Sequence, residues 1–404
     1  MADYVSQSGD TFDLIARKKY GTETEAGRIE AANPGVSEPI PAGTVIYVPF
    51  VRTDSAQKIP ADNPNETAVL INGTRFRFWE SLSVTLALDS FSSVNLTAPF
   101  DPDAPGFKDT FRPFSYAPLV ATIGGETVFT GRMMGIDPTL SSERRSINVS
   151  GYSEQAVLND CTAPASALPL EWDESTLETI AAALVKPFGF NVSFSESPGP
   201  IFDRVEYDPA STVLSFLAGL AAKRGFVIGG SVDGRTVTFT RSVSAGSPVV
   251  ALKTGTSPLM SVTPAFNPQA YFSHLTGVDS VMVGFPGGQL TVKNPLVSGI
   301  LRPHSFTVED SELQTEVNDK MGRMIGNMAS YSIDVATWRD PSGALWSPNT
   351  TLKLYAPGAM IYSEYEFIIR SVTFNRDRTN ETATLGLVLP GAFSGKIPGA
   401  LPWD

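Results

Sequence analysis

The sequence predicts a mainly β chain with α+β modules, in which two strand-rich segments flank small α/β modules and follow a compact βααβ unit. Three observations carry that expectation. Short runs of alternating apolar and polar residues fill two long stretches, 67–161 and 246–390, and such alternation marks half-buried strands. Between them, residues 162–245 twice show helical spacing followed by a strand. Ahead of both, residues 1–50 read as strand, helix, helix and strand; a linker at 51–66 follows them, and a tail of 391–404 closes the chain.

In the first unit, residues 4–8 form a short strand and Gly9-Asp10-Thr11-Phe12 turns into a helix. Glycine admits a positive φ, Asp10 or Thr11 can accept the free N–H groups of the first helical turn, and Phe12, Ile15 and Ala16 recur at helical spacing. A second helical stretch, 25–32, stops at Asn33-Pro34-Gly35, where proline removes a donor and glycine permits reversal of the chain. Residues 45–49 close the unit as a strand. The Gly-Asp-Thr-Phe turn, Ile15-Ala16, Asn33 and Ile40-Pro41-Ala42-Gly43-Thr44 together resemble a LysM domain. That resemblance implies binding of N-acetylglucosamine polymers and makes peptidoglycan a candidate ligand. The candidate docking residues, for glycan or for a protein partner, are those of the two turns: Gly9, Asp10, Thr11 and Phe12, with Pro34, Gly35 and Val36.

Pro60, Asp62, Asn63, Pro64 and Asn65 give 51–66 a linker's composition. From residue 67, runs at 68–71, 83–88, 119–123, 127–131 and 146–149 alternate, and Asn72-Gly73 and Gly124-Gly125 are hairpin dipeptides, so an antiparallel barrel or sandwich is expected. In the insert, Ser175 and Glu178 make a capping-box pair before a helical run that Pro187 and Gly189 end. A strand at 190–194 follows. The order repeats with Asp208-Pro209, a helix at 213–223, Gly225, and strands 226–228 and 236–240 across Asp233-Gly234, which reads as a small internal duplication. The last segment adds a helix at 309–328, with Leu313, Val317, Met321, Met324, Ile325 and Met328 on one face. Strands at 332–336, 351–354, 367–374 and 382–389 follow, and a second barrel with a packed helix is the economical reading.

The chain has 404 residues, 42% of them hydrophobic, which allows two to four globular domains. The start has neither a basic region nor an apolar run, and the longest apolar stretches, such as 180–185, are too short to span a bilayer. The expectation is a chain neither exported by a signal nor membrane-spanning. Its one cysteine, Cys161, cannot form an internal disulfide and fits folding in a reducing cytoplasm. A formal net charge of -12 argues against a surface that grips nucleic-acid phosphates, although an acidic surface can line a path that DNA slides through.

Signals for chemistry are weak. His274 and His304 stand apart, without cysteine or paired carboxylates at metal-ligand spacing. Ser153 lacks the second glycine of a nucleophile elbow, and Cys161 has no histidine or basic neighbour. The glycines of 284–288 lack the Lys-Ser/Thr of a phosphate loop and read as a hairpin turn. Carboxylates cluster at Glu171, Asp173 and Glu174 and again at Glu364 and Glu366, where they serve equally as solvated edge charges. The expectation is therefore no catalytic residue, no metal and no cofactor.

A string of motifs from Ser150 onward is similar to the baseplate hub family of contractile phage tails, the Mu-like hubs in particular. It comprises Ser150-Gly151-Tyr152-Ser153 with 156–163, where Tyr152 stands in place of the usual arginine; Trp172 with 177–189; 217–226 with Asp233-Gly234; and, most specifically, residues 338–350, 355–357, 369–374 and 387–390. The resemblance covers about 67–393. It implies two tube-like antiparallel β-barrels per subunit and a homotrimer that adapts a hexameric tail tube protein to a trimeric spike protein. It further implies contacts with neighbouring wedge or sheath proteins, and a channel through which DNA passes without specific binding. The implied location is the tail baseplate of a virion, after synthesis in the host cytoplasm, and the hub half of type VI secretion spikes is related. Leu401 and Trp403 in the tail, and the helix at 309–328, are candidates for partner contact. Two other readings are a LysM-bearing cell-wall adhesin and a peptidoglycan hydrolase accessory of a tail or secretion spike.

Overall fold

The structure is a computed structural model that describes residues 2–20, 26–48, 63–104, 106–141, 145–167, 170–243, 246–279, 288–308, 313–377 and 379–404. Most of the linker, the turn ahead of Gly288 and the start of the helix expected at 309–328 lie outside the described residues. Strand makes up 41% and helix 18%, which fixes the mainly β class. The chain divides into two compact units, Met1–Ala61 and Asp62–Asp404.

In the first unit β1 (Ala2–Val5) pairs antiparallel with β2 (Val45–Val48), and α1 (Phe12–Tyr20) and α2 (Ala26–Ala32) lie between them in sequence. Phe12, Ile15, Ala16, Ala26, Ile29, Ile40, Ile46 and Val48 form its core. Buried Asn33 ties the end of α2 to β2: its amide donates to the carbonyls of Ile29 and Tyr47, both at 2.6 Å, and accepts from the Tyr47 N–H at 2.8 Å.

In the second unit one 13-stranded sheet dominates. Its first part comprises β3 (Thr67–Ile71), β4 (Thr74–Phe76), β5 (Ser81–Ala87), β6 (Ser93–Pro99), β7 (Pro118–Ile123), β8 (Glu126–Leu140) and β9 (Arg145–Ser153), with a short helix α3 (Phe107–Thr110) after β6 and α4 (Val157–Asp160) after β9. The insert follows, as β10 (Glu171–Ser175), α5 (Leu177–Val185), β11 (Asn191–Phe194), β12 (Phe202–Glu206), α6 (Val213–Lys223), β13 (Val227–Gly230) and β14 (Thr236–Thr240). The last third supplies β15 (Ala251–Lys253), β16 (Leu259–Phe266), β17 (His274–Asp279), β18 (Gln289–Lys293), β19 (Pro303–Val308), α7 (Leu313–Gly326), β20 (Ala329–Val335), β21 (Thr351–Ala356), β22 (Ile361–Arg376) and β23 (Glu381–Val388).

The two strand-rich segments do not stand apart as two separate barrels. The second half of β22 pairs with β5, from Ser371↔Ala87 to Arg376↔Leu82, and so joins them. The strands run β16-β20-β23-β22-β5-β6-β9-β8-β7-β3-β4, with β21 branching from β22 and β15 from β21, and among the described residues no pairing closes this path into a ring. A single hydrophobic core serves both segments, from Val69, Val84 and Val149 to Ile333, Val372 and Leu385.

In the insert, β11 lies parallel and β13 antiparallel to β14, while β10 pairs with β12. The two helix–strand units share one core, with Ile180, Leu184, Leu217, Ala221, Val237 and Phe239 in the same cluster, so they pack as one unit. Both helix starts differ from the sequence reading. Thr176 caps α5 by accepting from the Thr179 N–H at 3.2 Å, and Thr212 caps α6 by accepting from Ser215 N–H at 3.3 Å. Both threonines have extended backbones, as caps require. Ser175 instead ends β10, and Asp208 holds the turn before α6 through the Ala210 N–H.

β17 pairs with β18 and β19 in a separate small sheet. Val317, Met321 and Ile325 on α7 are fully buried. The tail crosses α7 where Gly322 and Gly326 leave no room for a Cβ, which would meet the Gly395 carbonyl oxygen at 1.6 Å and the Ala392 nitrogen at 2.1 Å.

Candidate functional site

In the first unit the Phe12 N–H, at the end of the first turn singled out, donates at 2.5 Å to the carboxylate of Glu38, two residues past the second. Much of the first turn is inward structure. Asp10 is 3% exposed and accepts from Lys18 Nζ at 2.6 Å, the Tyr4 hydroxyl at 2.6 Å and the Gln7 N–H at 2.8 Å. The Lys18 bond, then those from Tyr4 and Gln7, pull its carboxyl down to about 2. Phe12 is in the core, and the Thr11 hydroxyl accepts from the Leu14 N–H at 3.2 Å. Gly9, Pro34 and Gly35 are exposed and Val36 is half-buried. The apolar exposure of the unit lies elsewhere, on the outer face of the β1–β2 pair, where Val5 and Val45 are cross-strand partners and Tyr47 follows on the same face.

At the other end of the chain, Leu401 is 8% exposed and belongs to the main core. Trp403 packs edge-on against Phe266 at 5.7 Å, and the tail is held by Tyr362 N–H to Pro402 O and by the Tyr365 hydroxyl to Ala400 O. Ser153 is buried, and its hydroxyl has no hydrogen-bond partner. His274 bonds to the Ser273 hydroxyl and His304 stacks on Phe272. Among the described residues no three His, Cys, Asp or Glu side chains gather as a metal site.

The most specific sequence motif, 338–350, performs a structural task. Trp338 and Trp346 are buried and donate from their indole nitrogens to the carbonyls of Thr382 and Thr337, both at 2.9 Å. Between them Arg339 donates to Pro64 O at 2.5 Å, the Asn65 side chain at 3.2 Å and Gly343 O at 2.9 Å. Arg376 adds a bond to Asn65 O at 2.9 Å. The end of the linker, at Pro64 and Asn65, is thus pinned to the sheet.

Sequence reasoning missed an organised polar surface. On the face of the main sheet opposite the core, register alone places polar side chains in transverse rows. One row runs Ser261, Asp334, Thr384, Thr373, Thr85 and Ser93, and a second runs Thr382, Asn375, Ser83, Asn95 and Ser150. Beyond them Ser81, Thr97, Asn148 and Asp137 continue the band. Their chain neighbours Val84, Val94, Val149, Ile333, Phe374 and Leu385 point into the core.

Lateral hydrogen bonds tie the rows together. Asp334 accepts from Ser261 at 2.6 Å and Thr384 at 2.7 Å, Thr85 and Thr373 meet at 3.0 Å, and Thr97 donates to Asn148 at 2.9 Å. The band deepens to a groove of about 470 Å³ lined by Ser83, Asn95, Asn148, Ser150, Asn375 and their neighbours. Asp137 and Asp377 line the groove and Asp334 lies further along the band; among the described lining residues the one cation, Arg376, is paired with Glu381 at 2.6 Å. Asp377 is held at about 2 by the backbone N–H groups of Thr379 and Asn380 and by their side chains. The signal was present in the alternations at 81–85, 93–97 and 382–385, whose outward positions carry Ser, Thr and Asn and no Lys or Glu.

Comparison with known proteins gives a consistent setting. Residues 155–240, which span the insert, match the family described as baseplate hub protein gp44-like, second domain, and residues 4–57 match the family Phage Tail Protein X. The baseplate hub protein gp44 of Escherichia phage Mu is 23% identical over 337 residues, covering 76% of this chain and 83% of that protein. Among solved structures, the 43 kDa tail protein of prophage MuSo2 from Shewanella oneidensis superposes with a TM-score of 0.69 at 25% identity, over 81% of this chain and 99% of that one. The tail protein from Neisseria meningitidis MC58 superposes with a TM-score of 0.68 at 19% identity, over 81% and 98%. The chain is thus similar, over most of its length, to tail proteins of phage and prophage origin.

Proposed function

We propose that this chain is a structural subunit of a phage baseplate hub, and that its polar band faces the channel. The observation that carries the reading is the band itself, a continuous surface of hydroxyls and amides with a small excess of carboxylates, on a sheet shared with phage tail proteins. Among its described residues such a wall offers duplex DNA one cation, Arg376, already paired with Glu381, so DNA has little to release counterions against and passes without being held. The hub is a homotrimer between the tail tube and the spike, located in the virion's baseplate. An open sheet with unlike ends, β4 and β16, supports a head-to-tail contact that closes into a ring. The role is non-enzymatic, in keeping with structural relatives.

The first unit is a LysM-like module, supported by its βααβ order and by the turn residues above. It docks a neighbouring tail protein through Val5, Val45 and Tyr47 in preference to binding glycan, because Asp10 and Phe12 of the sugar-facing turn are committed internally. Light scattering on the purified chain tests the assembly: a trimer that joins tail tube and spike proteins is expected, and a strict monomer that binds neither overturns the reading. Pull-down on insoluble peptidoglycan tests the module, with retention of the full chain counting against protein docking.

A further inference from the structure

We propose that the loop at 295–301, between β18 and β19, is an insertion tongue for an anionic lipid surface. Its tip is aliphatic: Leu296, Ile300 and Leu301 are 41%, 58% and 75% exposed, and Ser298 is the one polar side chain from Pro295 to Leu301. The exposure is built into the fold, since the base is locked. Buried Asn294 donates from its amide to Phe272 O at 3.0 Å and accepts from the Leu296 N–H at 3.0 Å. Its own N–H donates to Ser273 O at 2.8 Å. On the other side, the Arg302 N–H donates to the buried Ser273 hydroxyl at 2.7 Å, and the Arg302 guanidinium reaches Gln269 O at 2.9 Å.

On the strands that carry this loop, the charges near it have one sign. The register His274↔Lys293 and His274↔Pro303 brings Lys293, Arg302 and both of the chain's histidines to the tongue end of the small sheet. From 288 to 308 the sequence contains no Asp or Glu, in a chain whose formal net charge is -12. Asp279 stands at the far end of β17. An apolar tip above a cationic collar suits an acyl boundary beneath anionic headgroups. A protein pocket is the weaker match, because protein interfaces centre on Tyr, Trp and Arg and fix orientation through hydrogen bonds, and this tip offers almost none.

Vesicle flotation with the full-length protein tests the assignment. The wild type is expected to float with vesicles containing phosphatidylglycerol and not with pure phosphatidylcholine. The double variant Ile300→Asp/Leu301→Asp should lose roughly ten-fold or more of that binding, and Lys293→Glu should weaken it. Both changes are on exposed positions, and thermal unfolding confirms that the variants fold. Wild type that stays unbound, or a double variant that floats equally well, overturns the tongue. A double variant that instead lowers the oligomeric mass shows that the loop contacts protein, which also overturns it. Assembly with tail tube protein, measured on the same samples, reports on the hub reading separately.

Discussion

The channel-facing assignment of the polar band makes a quantitative demand on DNA binding. Asn95 and Asn148 are exposed on adjacent strands, offset by one register step, since Asn95 pairs with Ser150 and Asn148 with Thr97. Side chains so placed are roughly 7–8 Å apart and can both meet one duplex backbone. Replacing both by lysine adds two phosphate contacts to a wall that now presents none. With a slope of about -0.9 per contact in log affinity against log salt, the variant gains a slope of about -1.8, so lowering salt from roughly 200 to 50 mM should tighten duplex binding about twelve-fold. Fluorescence anisotropy with a short duplex reads this directly, and the wild type should show no comparable salt-dependent gain. In assembled particles the same substitutions should slow DNA delivery and leave particle yield unchanged. A variant that binds no better than wild type would mean that duplex DNA does not reach the band, and the assignment would fall.

Other expected outcomes follow from single contacts. Asp10→Asn should destabilise the first unit at neutral pH, because it removes the charge that Lys18, Tyr4 and the Gln7 N–H stabilise and that draws the carboxyl from 3.8 down to about 2. Because the folded value lies below the unfolded one, that stability is present above 3.8 and is lost as pH falls towards 2; amide exchange of residues 2–48 in the full chain should show the loss in wild type and not in Asp10→Asn. Gly326→Val should loosen the tail, since even a Cβ there strikes the Ala392 backbone, at a cost of roughly 1–3 kcal/mol read by urea unfolding. Gln155 donates to the carbonyls of Ser231 and Thr236 at 3.0 and 3.1 Å, so Gln155→Ala should destabilise the seating of the 230–236 hairpin by about 1–3 kcal/mol, seen as faster exchange there and unchanged exchange in β5.

What could be read from the sequence was local. The strand alternations, the hairpin at Asn72-Gly73, the buried stripe of α7 and the βααβ order of the first unit all arise from contacts within a few tens of residues, which periodicity encodes. The pairing of β22 with β5 joins positions nearly three hundred residues apart, and no local pattern distinguishes it from two separate closures. The helix caps shifted by one to a few residues because Ser175 and Thr176 are both competent caps, and the strand register of β10 decided between them. Leu401 looked like an exposed end because the sequence carries no sign that Gly322 and Gly326 clear a path for the tail across α7. The polar band was half-legible: its alternation was read as strand, while the choice of hydroxyl and amide on the outward side passed without notice.

That choice is informative about the channel because three kinds of wall behave differently towards a polyanion. Fixed cations would bind phosphates one by one, and each contact would multiply the barrier to sliding. A wall dense in carboxylates would repel DNA over a Debye length of about 8 Å at physiological salt, raising the cost of entry into a narrow ring. Hydroxyls and amides avoid both effects, and where they bond to each other, as Thr85 does with Thr373 and Thr97 with Asn148, they have less capacity left to hold a passing phosphate. Two of the three carboxylates are tied down in the same way, Asp334 by Ser261 and Thr384 and Asp377 by its own turn. On the proposed reading, a channel wall of mutually bonded hydroxyls and amides with few carboxylates leaves the lumen smooth to a passing duplex.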